Sequence, residues 1–298
     1  MNIINDIKNL HVGKVIENAY MKDYTTYKVG GKVICIVVPE DEKCLIKLLS
    51  YIKENNIKYK IIGNGSNVIF NDKGYDGVII KLDNFNNLKI INNKIVVGAG
   101  YMFNKLALRV SRLGLTGLEF ATGIPGTVGG AVYMNAGAYK TDIGYVLTNI
   151  KVITPDLKIK TMYNKDLDFH YRTSFLQKNK DYICIEATLT LAQGNSNEIM
   201  ELIEERKKRR IESQPLESPS AGSVFRNPEG DFAGRLVEEL GYKGKSIGGA
   251  KVSEKHANFI INNGNATGEE IKELINEIKG KVKEKYNIEL KVEQEFID

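Results

Sequence analysis

The chain has 298 residues, 42% of them hydrophobic and 27% charged, a balance that suits one large or two ordinary folded domains and excludes disordered and fibrous classes. Its formal net charge of +5 suits anionic ligands but is too small to mark a nucleic-acid protein. Cys35, Cys44 and Cys184 are odd in number with no C-x-x-C, and His11, His170 and His256 are scattered, so neither a disulfide framework nor a metal site is expected.

Residues 1–25 contain no apolar signal core, and runs such as "VICIVVP" fall far short of the ~18 apolar residues of a membrane span, so the chain reads as unprocessed and cytoplasmic. Residues 27–40, "YKVGGKVICIVVPE", are apolar and β-branched, which predicts one or two strands. Asp41 then opens a helix with Leu45, Leu48, Leu49 and Ile52 at helical spacing, and "IKYKIIG" returns as a strand. "GVIIKL" and "LKIINNKIVVGAG" add short strands, the latter turning at Asn-Asn. A helix over Met102 to Leu113 places Leu106 and Val110 inward.

"IKVITPDLKIKTM" predicts a hairpin around Pro155-Asp156, "YICIEATLTL" a further strand, and "AQGNSN" after it the domain boundary. "NEIMELIEERKKRRIES" is helical; its basic run, 206–210, is either a solvated face or an attractor of anionic substrate. Thr267 and Glu270 form a capping box ahead of Ile271, Leu274, Ile275 and Ile278. The closing "IELKVEQEFI" alternates, with Ile288, Leu290, Val292, Gln294 and Phe296 on one face and Glu289, Lys291, Glu293 and Glu295 on the other. The fold class is α+β, in two parts.

Two glycine clusters carry the functional signal. "GNGSNV" (63–68) follows a strand, and its backbone amides with Ser66 and Asn67 make an anion cradle, although it lacks the third glycine of the dinucleotide fingerprint and the Gly-Lys-Ser/Thr of a P-loop. "ATGIPGTVGGAVYMNAGAY" (121–139) is a long glycine-rich segment with no regular period over its first half, which predicts a functional loop. Two such cradles in one β-rich domain suggest a large cofactor with a diphosphate. "PSAGSVFRNP" (219–228) fails G-x-S-x-G, because 221 is alanine and 225 phenylalanine, so any chemical task of Ser223 is not acyl transfer.

In this order, "TYKVGG", "GNGSNV", "TGIPGTVGGAVYMNAGAY", "YRTS", "AGSVFRNP", "SEKHANFIIN" and "LKVEQEFI" resemble the UDP-N-acetylenolpyruvoylglucosamine reductases of peptidoglycan synthesis, from about Tyr27 to Ile297. The resemblance implies an N-terminal helical segment (1–26) and an FAD-binding domain of the vanillyl-alcohol-oxidase (PCMH) type (27–192). A smaller α/β substrate-binding domain (193–298) follows, with its last strand returning toward the active site.

Non-covalent FAD is then held by Gly63, Asn64, Gly65, Ser66, Asn67, Gly123, Ile124, Pro125, Gly126, Thr127, Gly130, Asn135, Gly137 and Ala138. By the same resemblance NADPH reduces the flavin, whose N5 delivers hydride to C3 of the enolpyruvyl group, giving UDP-N-acetylmuramate. Ser223 matches the proton donor to C2, a general acid. Arg172 matches the arginine at the substrate carboxylate, with Tyr171 lining the same pocket. The L-x-x-E pattern from Leu290 selects Glu293, with Glu295 in reserve. Asn227, Tyr139, Lys243 and His256 are carried over as UDP-sugar contacts.

Where the family usually has proline, glycine and valine, this chain has Lys32, Lys140 and Gln294. Only nine residues separate Arg172 from "YICIEATL", which resembles the subtype without an extra substrate-closing loop. The partner is a small UDP-sugar, with no nucleic acid and no membrane insertion. Two rivals remain: another FAD oxidoreductase of sugars or alcohols on the same scaffold, and a nucleotide-sugar or nucleic-acid binding module without chemistry.

Overall fold

The computed structural model describes residues 2–298; Met1, in the predicted N-terminal segment, lies outside them. The chain forms two compact units. The first comprises residues up to Glu17, Ile34–Asn64 and Gly77–Lys208; the second comprises Asn18–Val33, Gly65–Asp76 and Arg209–Asp298. The sequence predicts contiguous domains at 27–192 and 193–298, and the units are instead interleaved. The reason is core membership: Tyr27, Val29 and Ile69 are buried in one cluster with Leu236, Leu274 and Ile278. The first unit runs to Lys208, and within it Ser196 Oγ hydrogen-bonds Ser111 O at 3.4 Å.

In the first unit, the helix Glu42–Glu54 starts at Asp41, whose side chain accepts from the Cys44 amide at 2.8 Å, and it buries Leu45, Leu48, Leu49 and Ile52. It connects strands of a four-stranded sheet in which Tyr59–Ile62 runs parallel to Val78–Lys81. A five-stranded antiparallel sheet orders Ile159–Tyr163, Leu147–Ile153, Ile183–Thr190, Lys94–Gly98 and Leu88–Ile91. The Pro155-Asp156 hairpin closes with Ile153 opposite Ile159. The helix Phe103–Arg112 buries Leu106 and Val110.

The glycine-rich segment departs from the predicted loop, because Val128–Met134 is a helix capped by Thr127, whose Oγ accepts from the Gly130 amide. Two glycines make this a poor helix intrinsically. Packing overrides propensity: Val128, Ala131 and Val132 are buried, and a Cβ at Gly129 would press on Ala99, whose carbonyl takes the Gly129 amide at 2.8 Å.

In the second unit, the three-stranded sheet Ser246–Ile247, Ala250–Val252 and Ile260–Asn262 accompanies the helices Ala233–Glu239 and Gly268–Tyr286. The capping box is present: Glu270 N donates to Thr267 Oγ at 3.1 Å, and Thr267 N donates to the Glu270 carboxylate at 2.9 Å. Thr267→Ala should cost about 1 kcal/mol of stability, read from the urea midpoint. The C-terminal alternation holds only to Gln294, where the chain bends; the strand proper is Glu295–Ile297, parallel to Val68–Phe70, with Ile297 buried in place of Phe296.

Candidate active site

Arg172 stands in a tight turn closed by reciprocal His170 and Thr173 backbone bonds of 3.1 and 3.0 Å, and its own φ is 54°. A non-glycine residue pays for that left-handed conformation, so the surroundings must impose it. Gln177 Nε2 donates to Arg172 O at 2.9 Å, and Asn135 Nδ2 donates to His170 O at 2.9 Å. The guanidinium thereby projects from a braced turn, with Nη2 on Gly137 O at 2.7 Å and Cζ 5.1 Å from the Tyr171 ring centre. Burial raises the Asp142 pKa, while the Arg172 charge opposes that rise.

Gly137–Ala138 pairs with Thr141–Asp142, leaving Tyr139 and Lys140 as a two-residue loop with φ of 56° and 62°. Two positive-φ residues define a type I′ turn, which favours Asn-Gly. Lys140, where the family usually has glycine, therefore bears strain of about 1 kcal/mol or more. Tyr139 is 43% exposed; its hydroxyl donates to Arg206 O at 3.3 Å, and the Arg206 guanidinium lies 4.5 Å from its ring centre. One arginine of the basic run thus touches a predicted substrate contact.

The two glycine segments of the first unit are joined by Asn64 Nδ2, which donates to Pro125 O at 2.7 Å. A Cβ at Gly63 would collide with the Thr127 hydroxyl, so this close approach requires glycine. The amides of Val128, Gly129 and Gly130 are occupied by Tyr101 O, Ala99 O and Thr127 Oγ. That short helix's first amides are thereby internally satisfied. Asn135, at φ 42° and 2% exposed, is a helix C-cap with both amide atoms used, Oδ1 by the Gly144 amide at 3.1 Å. Gly123, Ile124 and Pro125 lie at the preceding turn, where the Ile124 amide bonds Ala121 O at 3.0 Å, and Gly126 O accepts from the Phe103 amide at 2.9 Å. By contrast, the backbone amide of Asn64, and in the second unit those of Gly65 and Ser66, donate to no backbone acceptor among the described residues. Gly65 takes φ 66° against Tyr24 O, which leaves a row of open amides of the kind that holds a phosphate.

In the second unit the serine segment and the C-terminal segment form one strip. Glu293 N donates to Val224 O at 2.8 Å, Arg226 N to Lys291 O at 2.9 Å, and Phe225 bridges Val292. Asn67 ties the far side of the same segment: its Nδ2 donates to Glu293 O at 3.2 Å and its O accepts from Glu295 N at 2.9 Å. Glu293 is therefore braced from both sides next to the serine, whereas Glu295 sits in the ladder opposite Val68. Ser223 is half-buried, and its hydroxyl has no hydrogen-bond partner among the described residues.

Sequence reasoning missed Asn258, which is 4% exposed and grips the serine segment by donating to Phe225 O at 2.8 Å and accepting from Phe225 N at 2.9 Å. It lies inside the recognised "SEKHANFIIN" motif, but no pattern separates a backbone-gripping amide from a surface one. Asn227 Oδ1 accepts from the Ala233 amide at 3.1 Å and so supports the start of the next helix. Lys243 pairs with Glu238 at 2.6 Å. Burial lowers the His256 pKa, and its Nδ1 accepts from Asn258 N at 3.2 Å, so the neutral ring carries its proton on Nε2.

Among the described residues no cluster of His, Cys, Asp and Glu fits a metal ion, and no helix is long and apolar enough to cross a membrane. Residues 214–297 match a family model described as UDP-N-acetylenolpyruvoylglucosamine reductase, C-terminal domain, and residues 33–163 match one described as FAD binding domain. The UDP-N-acetylenolpyruvoylglucosamine reductase of Bacillus licheniformis is 45% identical over 296 residues, which cover 99% of this chain and 98% of that protein. That of Bacillus subtilis is 42% identical, again covering 99% and 98%. The solved reductase of Thermus caldophilus has a TM-score of 0.81 at 33% identity, covering 96% of this chain and 98% of that one. A BBE-like protein of Physcomitrella patens, 16% identical with a TM-score of 0.50, shares the fold over 63% of this chain and 44% of its own.

Proposed function

The chain belongs to the UDP-N-acetylenolpyruvoylglucosamine reductase family, and from that membership we propose that it reduces the enolpyruvyl group of UDP-N-acetylenolpyruvoylglucosamine to UDP-N-acetylmuramate, with Ser223, Arg172 and Glu293 as its catalytic residues. The observation that carries the assignment of residues is the strip that braces Glu293 against Val224, one residue from Ser223, although about 70 positions separate them in sequence.

FAD, when bound, supplies the hydride for C3 after taking it from NADPH. The open amides of Gly65 and Ser66 fit the diphosphate of such a cofactor, and the first unit by itself offers the close approach of Gly63 to Thr127. Asn135 and Thr127 would act one step removed, by holding the helix and the Arg172 turn in place. Matching segments support FAD binding by 33–163 and substrate handling by 214–297.

Adding hydride at C3 leaves negative charge at C2 and on the adjoining carboxylate. Arg172 stabilises that charge where it forms, through a guanidinium whose turn is braced before substrate arrives. Ser223 then gives its proton to C2; a serine hydroxyl is a poor acid in water and donates here because the acceptor is a strongly basic carbon held against it. Glu293 polarises the charged species and orients the proton relay that restores Ser223. The uncharged His256, with its proton on Nε2, serves the UDP-sugar as a donor, and Tyr139, whose hydroxyl proton is taken by Arg206 O, serves it as an acceptor. The reading includes a cytoplasmic site of action, where NADPH and UDP-linked precursors meet.

A rival oxidoreductase on the FAD scaffold leaves 214–297 without a task, and the binding-module rival leaves Ser223, Arg172 and Glu293 without one. The test is an anaerobic pair of half-reactions. The purified yellow protein should bleach with NADPH and regain its colour on adding UDP-N-acetylenolpyruvoylglucosamine. A protein that bleaches but ignores the UDP-sugar would hand the function to the first rival, and one that no flavin reconstitutes would remove the cofactor assignment.

A further inference from the structure

Gln294 is 4% exposed, follows Glu293 directly, and is a buried amide whose donors and acceptor must all be satisfied. Its Nε2 lies 3.2 Å from Ala221 O, 3.2 Å from Gly222 O and 3.5 Å from Ser223 O. Its Oε1 lies 3.3 Å from the hydroxyl of Tyr27, a side chain with no exposure at all. Carbonyl oxygens only accept, so the amino end must face the three carbonyls and the oxygen must face Tyr27. Tyr27 then has to donate, and burial keeps its hydroxyl protonated by pushing its pKa well above the usual tyrosine range.

The three carbonyls belong to the residues that set the direction of the Ser223 side chain. Gly222, between them, takes φ 76°, and a Cβ there would have nothing within 4 Å. The space beside that point of the turn is open, and Gln294 meets the turn from its carbonyl side. The same short stretch thus braces Glu293 through its amide and the serine turn through the next side chain.

We infer that Gln294, oriented by Tyr27, is a positioning residue for Ser223: its two N–H donors hold the carbonyls of Ala221 and Gly222, with that of Ser223 at the edge of reach, and so fix where the hydroxyl stands when it gives its proton to the substrate. The inference rests on the proposed role of Ser223 as proton donor. A displaced reacting group costs about 100-fold in rate for a shift near 1 Å, which sets the scale expected for loss of the grip.

The test compares Gln294→Met, Tyr27→Phe, Ser223→Ala and the Gln294→Met/Ser223→Ala pair, all as FAD-loaded protein in anaerobic stopped flow. Gln294→Met should leave reduction by NADPH unchanged and slow reoxidation by UDP-N-acetylenolpyruvoylglucosamine about 100-fold. Tyr27→Phe, the milder change should Gln294→Met fail to fold, should slow the same step to a smaller degree. The rise in melting temperature on adding the UDP-sugar should be the same in all variants. Most tellingly, Gln294→Met should add nothing once Ser223 is alanine.

Equal slowing of both half-reactions, or the same loss in the presence and absence of Ser223, would overturn the inference and leave Gln294 a packing residue. Reoxidation at the normal rate in Tyr27→Phe and Gln294→Met, with Ser223→Ala slow, would overturn it while sparing the role of Ser223. If Ser223→Ala itself reoxidises normally, the proton-donor role falls and the positioning role with it.

Discussion

Alanine in place of Ser223 should slow reoxidation by UDP-N-acetylenolpyruvoylglucosamine by on the order of 10² to 10⁴-fold, the usual contribution of a positioned general acid, while reduction by NADPH proceeds at the normal rate. The asymmetry is what identifies the role. A proton is needed only after hydride reaches the substrate, so a proton donor can affect only the second half-reaction. The substitution removes one oxygen from a half-buried side chain that has no hydrogen-bond partner among the described residues, and it leaves the Val224, Phe225 and Arg226 backbone bonds in place. Stopped-flow traces of each half-reaction, recorded under matched anaerobic conditions, give the two rates directly. Equal impairment of both would return Ser223 to a structural part.

The elements that sequence reveals and those that it hides differ in where their stability comes from. The helices Glu42–Glu54 and Gly268–Tyr286 are legible because cap and apolar stripe lie within one segment: Asp41 or Thr267 starts each, and the buried residues recur at helical spacing. The helix Val128–Met134 is hidden because its glycines argue against it locally and its support, the Ala99 carbonyl and the buried faces of Val128 and Val132, comes from elsewhere. Interleaving of the two units is hidden for the same reason. Tyr27 shares a core and a hydrogen bond with residues 267 positions away, at Gln294, and nothing near Tyr27 announces it.

A similar division runs through the site. Ser223 and Arg172 stand out because their motifs are recognisable, and "GNGSN" because two glycines one residue apart after a strand let the backbone turn and approach a ligand closely. Asn67 and Asn135 are recognisable too, but their tasks are not: each spends its amide on backbone, Asn67 on Glu293 O and Asn135 on His170 O. Gln294 looks in sequence like a mere exchange for valine. Its meaning appears only when three carbonyls are found around its amino group.

Glu293→Gln should slow reoxidation by the UDP-sugar by about 10² to 10³-fold, on the scale of losing one electrostatic group aimed at the transition state, whereas Glu295→Gln should stay close to the normal rate. Alternation along the last strand cannot separate these two carboxylates, since both fall on the same face. Their backbones separate them. The amide of Glu293 is bonded to Val224 O at 2.8 Å and its carbonyl to Asn67, which fixes its Cα beside the serine segment, while Glu295 has its partner in the ladder at Val68. Glutamine preserves shape and removes charge, so packing losses are held to a minimum and the comparison reads electrostatics alone. Slow reoxidation in Glu295→Gln with a normal rate in Glu293→Gln would move the catalytic role two residues along the strand, and normal rates in both would take the role away from the terminal segment altogether.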